Sequence, residues 1–228
     1  MEIAGKDVPF KKLKRYRQST GAYCGPAALQ IMLSNFDIEA KQIDIANAGS
    51  SVARVDRQGM SFRELAKAAK AIVPHLTFWY KHDSSLEDLK RVVVDYKYPV
   101  GVDWQGIFAN FEYGTEINAP DDDNEDGDEG EDEEIEEDDG SVGDEGHYCV
   151  VTDVNLEAGY LRLVDPYGSY SGRDRVLATE VFQERWWDDL MEIDRVGGLR
   201  KYTFESRLMF TLVPKGETFP KELGMKEL

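Results

Sequence analysis

At 228 residues, with 41% hydrophobic and 11% aromatic residues, the chain is long enough to enclose one sizeable core and short for two. Its formal net charge of −18 sits mainly in one segment: residues 121–139 hold fifteen Asp or Glu and no Lys or Arg, and without them the remainder carries −3. That remainder, with no Lys or Arg from Tyr98 to Leu161, lacks the basic footprint that nucleic acid requires.

The N-terminal Met1-Glu2-Ile3-Ala4-Gly5-Lys6-Asp7 has no apolar run of the kind that forms a signal-peptide core. No stretch approaches the roughly 18 apolar residues of a membrane span. Two cysteines make no disulfide framework. The expectation is a cytoplasmic protein of one domain over residues 1–228, with no membrane partner.

The first informative segment is Gln18-Ser19-Thr20-Gly21-Ala22-Tyr23-Cys24-Gly25-Pro26-Ala27-Ala28-Leu29-Gln30-Ile31-Met32-Leu33. A loop of small residues leads into helix formers, and Pro26 suits a first helical turn, where its missing N–H has no partner to lose. Cys24 is therefore expected at a helix start. The apolar Leu29, Ile31, Met32 and Leu33 leave little polar face, so this helix is expected to be buried. Ser61 and Glu64 form a capping box before a helix that Pro74 ends, and Leu76–Tyr80 reads as a strand. Ser84 and Glu87 repeat the capping signal for a helix to about Asp95, and Tyr98–Trp104 is the next strand. Residues 119–146 are acidic and low in complexity, which predicts a disordered insertion between two strands. His147–Val154 and Tyr160–Asp165 form a predicted hairpin, Thr179–Leu190 a predicted helix and Arg207–Val213 a closing strand. Helices first and strands later argue for an α+β fold, an N-terminal helical part packed on an antiparallel sheet.

A cysteine attacks as thiolate, and a helix N-terminus and a neighbouring imidazolium both favour that anion. Three histidines exist: His75, His82 and His147. His147 opens a strand after Gly146, and the partner strand of the hairpin ends in Val164-Asp165-Pro166-Tyr167-Gly168, so Asp165 can reach the imidazole Nδ1 and fix its tautomer. His75 and His82 lack such a carboxylate and are read as exposed. Cys149 faces the same side of the strand as His147 and is read as buried packing.

The strings Gln18…Tyr23-Cys24-Gly25-Pro26-Ala27-Ala28-Leu29, Gly146-His147-Tyr148 and Asp165-Pro166-Tyr167-Gly168 resemble the bacteriocin-processing (double-glycine leader) peptidase family, within the papain-like superfamily. The resemblance implies a papain-like cysteine peptidase with Cys24 as nucleophile, His147 as base and then acid, and Asp165 as orienting residue. It also implies that Gln18, six residues before Cys24, contributes to the oxyanion hole with the Cys24 backbone N–H. No cofactor is implied, and the partner is a peptide or protein substrate. The chain lacks the membrane spans and the phosphate-binding loop of the exporter-linked members, so a stand-alone peptidase is expected. Alternatives are deamidation or transglutamination on the same site, or a catalytically silent peptide-binding module. Asp122–Glu133 fits the calcium-loop spacing of an EF-hand, but such a match is cheap in so acidic a run, and a solvated acidic loop is the default reading.

Overall fold

The computed structural model describes residue 10 and residues 13–106, 146–193 and 200–228, with side chains omitted for residue 169 and for residues 190–203. The acidic segment, with the calcium-loop match at Asp122–Glu133, lies outside the described residues.

The chain opens with a single 3₁₀ turn, Gly21–Tyr23, that runs directly into helix α1, Cys24–Ser34. Every residue of α1 except Gln30 is buried, as its nearly continuous apolar sequence requires. Helices α2 (Gln42–Gly49), α3 (Val52–Gln58) and α4 (Phe62–Ile72) follow. Ser61 and Glu64 close the expected capping box on α4. Strand β1 (Leu76–Lys81) is followed by α5 (Leu86–Lys90), which continues as one π-helical turn, Arg91–Asp95. Its capping box uses Ser85 and Asp88, one residue beyond the expected pair.

Strands β2 (Val100–Gln105), β3 (Gly146–Asn155), β4 (Tyr160–Val164), β5 (Asp174–Ala178), β8 (Met209–Pro214) and β9 (Lys226–Glu227) join β1 in a seven-stranded antiparallel sheet of order β5-β4-β3-β2-β8-β1-β9. Strands β6 (Trp187–Ile193) and β7 (Arg200–Ser206) form a separate antiparallel pair. The sheet has two apolar faces. On one, Tyr148, Val150 and Phe210 pack with α1, α2 and α4; on the other, Val102, Trp104, Cys149 and Val151 pack with Leu89, Val92, Phe182 and Trp186. The fold is α+β, with an N-terminal helical part on an antiparallel sheet.

Two expected elements end differently. The helix begun at Thr179 (α6) stops at Arg185, and Trp187 starts β6. Trp186 takes φ −80° and ψ 67°, and its buried indole donates to the Leu208 carbonyl at 2.8 Å, which anchors the chain where the helix gives way. The strand expected over Arg207–Val213 does not close the fold: β8 lies between β2 and β1, and β9 follows it.

Candidate active site

The alternation of β3 decides which groups meet. His147 is opposite Trp104 and Cys149 is opposite Val102 in the β2–β3 register, so His147, Cys149 and Trp104 share one face of the sheet. Asp165 immediately follows β4, the hairpin partner of β3, and reaches that face. His147 Nε2 and Asp165 Oδ1 lie 2.7 Å apart, with both side chains buried. The sequence predicts Asp165 at Nδ1; the structure places it at Nε2, and the ring is also hydrogen-bonded to Cys149, two residues along the same strand face.

Asp165 is held from three sides. Its Oδ1 also accepts from the Tyr167 backbone N–H at 2.9 Å, and its Oδ2 accepts from Arg175 Nη1 at 2.6 Å. The Arg175 guanidinium, on β5, is buried and stacks over Tyr170 at 3.7 Å from the ring centroid. Burial on its own would push the Asp165 carboxyl up, but His147, Arg175 and the Tyr167 N–H outweigh it and hold it well below the usual carboxylate range. Burial disfavours the His147 cation, yet the Asp165 carboxylate and the Cys149 sulfur raise its pKa well above the ordinary value. The site thus favours imidazolium facing carboxylate.

Cys24 occupies the first position of α1, as expected. It packs in the cluster that contains Tyr148, on the face of β3 opposite Cys149. A Cβ on Gly25 would come within 3.3 Å of the Tyr148 ring, so glycine lets the start of α1 sit directly on the Tyr148 face of β3. The Gln18 N–H donates to the Pro166 carbonyl at 2.8 Å and ties the loop before Cys24 to the residue after Asp165. The Gln18 side-chain amide donates to the Thr20 and Gly21 carbonyls at 2.9 and 3.1 Å and shapes the turn leading into Cys24.

The structure therefore joins His147 to Asp165, and links Gln18 and Cys24 to the residues flanking that pair. The thiol seen against the imidazole is that of Cys149, which accepts from the Trp104 indole N–H at 3.1 Å. Burial pushes the Cys149 thiol up to about 11, so it is mostly protonated at neutral pH and a poor nucleophile. His147, Cys149 and Asp165 offer one ligand atom each within 4.8 Å of one another, but Arg175 and the Tyr167 N–H already occupy the carboxylate. They fit a hydrogen-bonded cluster better than a metal centre.

Sequence reasoning missed Arg175. The signal was an arginine in the short run Asp174-Arg175-Val176-Leu177-Ala178, which is strand β5 returning antiparallel to β4 after the Asp165-Pro166-Tyr167-Gly168 turn. His75 is exposed, whereas His82 is half-buried against the Phe62 and Tyr80 rings.

Helices α1, α2 and α4 pack on one face of an antiparallel sheet whose strands carry a buried His–Asp pair, which defines a protein of the α+β class. Within that class the chain belongs to the Peptidase_C39 like family, which it matches over residues 10–189. It is similar in structure to the peptidase domain of Streptococcus ComA, a bi-functional ABC transporter involved in a quorum-sensing pathway, with 16% identity and a TM-score of 0.49 over 89% of this chain and 99% of that one. It is also similar to a double-glycine-motif protease of an AMS/PCAT transporter, solved with its leader peptide, with 15% identity and a TM-score of 0.49 over 90% of this chain and 93% of that one. No curated protein sequence matches the chain significantly. Among the described residues no helix is long and apolar enough to cross a membrane.

Proposed function

We propose that the protein is a cysteine peptidase that cleaves a peptide or protein through an acyl-enzyme formed on Cys24. The observation that supports this reading is the buried His147–Asp165 pair, backed by Arg175, on strands that pack with α1, whose first residue is Cys24. A carboxylate fixed from three sides serves an imidazole that must hold one orientation while it carries a positive charge. Family membership supports the same chemistry.

In this mechanism the His147 imidazole takes the proton of the Cys24 thiol, and the thiolate attacks the carbonyl carbon. The C–N bond breaks as the imidazolium returns the proton to the leaving amine. Water, deprotonated by His147, then cleaves the thioester and restores the thiol. The Cys24 backbone N–H is one oxyanion donor and Gln18 the second, its amide exchanging a backbone carbonyl of the preceding turn for the oxyanion. The residues assigned to these steps need no cofactor.

Incubating wild type and Cys24→Ala with a diverse peptide library, with products read by mass spectrometry, tests the proposal. New carboxyl termini formed by wild type alone are expected. Amine-linked products in place of new termini would assign acyl transfer instead. Turnover by neither protein, with the wild-type thiol intact, would leave a peptide-binding module.

A further inference from the structure

Asp103 and Gln105 alternate with Trp104 on β2, so they face away from the His147–Asp165 pair, toward the side on which α1 packs. Asp103 lies opposite Tyr148 in the register and is hydrogen-bonded to it. The β6–β7 hairpin brings two more carboxyls to the same place, Asp188 and Glu205, which are Cα partners across that hairpin. Gln105 Nε2 donates to Asp188 Oδ1 at 3.0 Å, and Asp188 is also hydrogen-bonded to Asp103. Gly146 makes room for this contact: a Cβ there would fall 2.3 Å from Asp188 Oδ1. The cluster is on the face of the sheet where the proposed nucleophile packs, since Cys24 shares a core cluster with Tyr148, the register partner of Asp103.

Hydrogen bonds within the cluster do not satisfy it. Asp103 is 2% exposed and Gln105 1%, yet Asp103 Oδ1 and Gln105 Oε1 have no hydrogen-bond partner among the described residues. Buried acceptors without donors are rare in folded proteins because each has lost its water without replacement. Carboxyl oxygens and an amide oxygen together present acceptors, and acceptors of net negative charge call for a cationic donor. Two forms are possible, a metal ion or an organic cation. The described residues hold no trio of these carboxylates close enough to share one ion; the trio that meets a 4.8 Å limit is His147, Cys149 and Asp165. Acceptors spread over two strands and a hairpin match an ammonium or guanidinium group, whose several N–H donors diverge.

We propose that Asp103, Gln105 and Asp188 form a subsite beside Cys24 that receives the Lys or Arg side chain of a substrate. This rests on Cys24 being the nucleophile, and it adds the class of residue that is selected. Burial and the neighbouring Asp188 and Glu205 raise the Asp103 pKa well above its ordinary value; an arriving cation favours its ionisation, with the proton leaving to solvent. The charged and titratable groups facing the subsite are Cys24 of α1, Tyr148 of β3, Asp189 beside Asp188 on β6, Glu205 of β7 and Arg185 of α6, which donates to the Gln105 backbone carbonyl at 3.4 Å. Preference for a cation therefore falls as pH is lowered.

Peptidyl vinyl sulfones that differ only in carrying Lys or norleucine at either of the two positions nearest the electrophile test this, with adduct formation on Cys24 timed by intact mass. At one of the two positions the Lys probe is expected to label wild type at least about 10-fold faster, a ratio within the reach of one charged contact. Asp188→Asn is expected to bring that ratio close to one. Equal wild-type rates for Lys and norleucine at both positions would overturn the subsite while leaving Cys24 as nucleophile. Cys24 unlabelled by every probe, and by iodoacetamide, would instead remove the catalytic reading on which the subsite rests. If Asp188→Asn does not fold, Gln105→Leu supplies the same ratio test, and a Lys preference unchanged in the folded variant would overturn the assignment.

Discussion

Asp165 gathers a backbone N–H, a guanidinium and an imidazole onto two buried oxygens. Removing one partner leaves charge without compensation, so Arg175→Met is expected to destabilise the protein by about 3–5 kcal/mol in urea denaturation. A loss within about 0.5 kcal/mol would show that the Arg175 contact carries little. The pair also sets a pH dependence. The Asp165 pKa is held below its ordinary value of 3.8, so its contribution is present above that value and is lost as pH falls through the lowered pKa. The His147 pKa is raised above 6.5, so its contribution is complete below 6.5 and is lost as pH rises toward the raised value. Unfolding free energy is thus expected to fall on the alkaline side of pH 6.5, and Asp165→Asn to flatten that slope. Parallel wild-type and variant profiles would contradict the assignment. The helix-start position of Cys24 and the His147–Asp165 contact were legible because helix-start and strand-end signals are local. Arg175 and the Asp103–Asp188 contact were not, because they depend on which strands lie side by side.

At the scale of elements, the clearest successes were helices with explicit start signals. Ser61 caps α4 through the Glu64 N–H, and Ser61→Ala is expected to cost about 1 kcal/mol in thermal or urea unfolding. The misread boundary after Arg185 has a tertiary cause: Asp188 and Glu205 pair across β6 and β7, a long-range contact that no window of sequence displays. Glycine supplies another such contact. A Cβ at Gly101 would lie 2.3 Å from the Phe210 ring, which stacks on Phe78 and has little freedom to retreat. Gly101→Ala is therefore expected to destabilise by about 1–3 kcal/mol, through overpacking between β2 and β8. An unchanged denaturation midpoint would show that the ring can yield.

Over the whole molecule, the acidic segment separates two strands that nevertheless pair through their ends, since Gln105 and Gly146 are Cα partners. The segment's charge and placement are legible in the sequence, and the pairing of its flanks predicts that a shorter connection suffices. Deleting residues 120–144 is expected to leave the thermal midpoint within a few degrees and to weaken the salt dependence of cleavage of basic peptides. A collapse of the midpoint would make the segment part of the fold. The central claim, an activated Cys24, is tested most directly by stoichiometric alkylation with iodoacetamide under native conditions, followed by intact mass and peptide mapping. Wild type is expected to take up one adduct on Cys24 near neutral pH, with Cys149 unmodified, Cys24→Ala to take up none, and His147→Ala to react far more slowly. Equal, sluggish labelling of wild type and His147→Ala, or labelling at Cys149 in place of Cys24, would contradict the account.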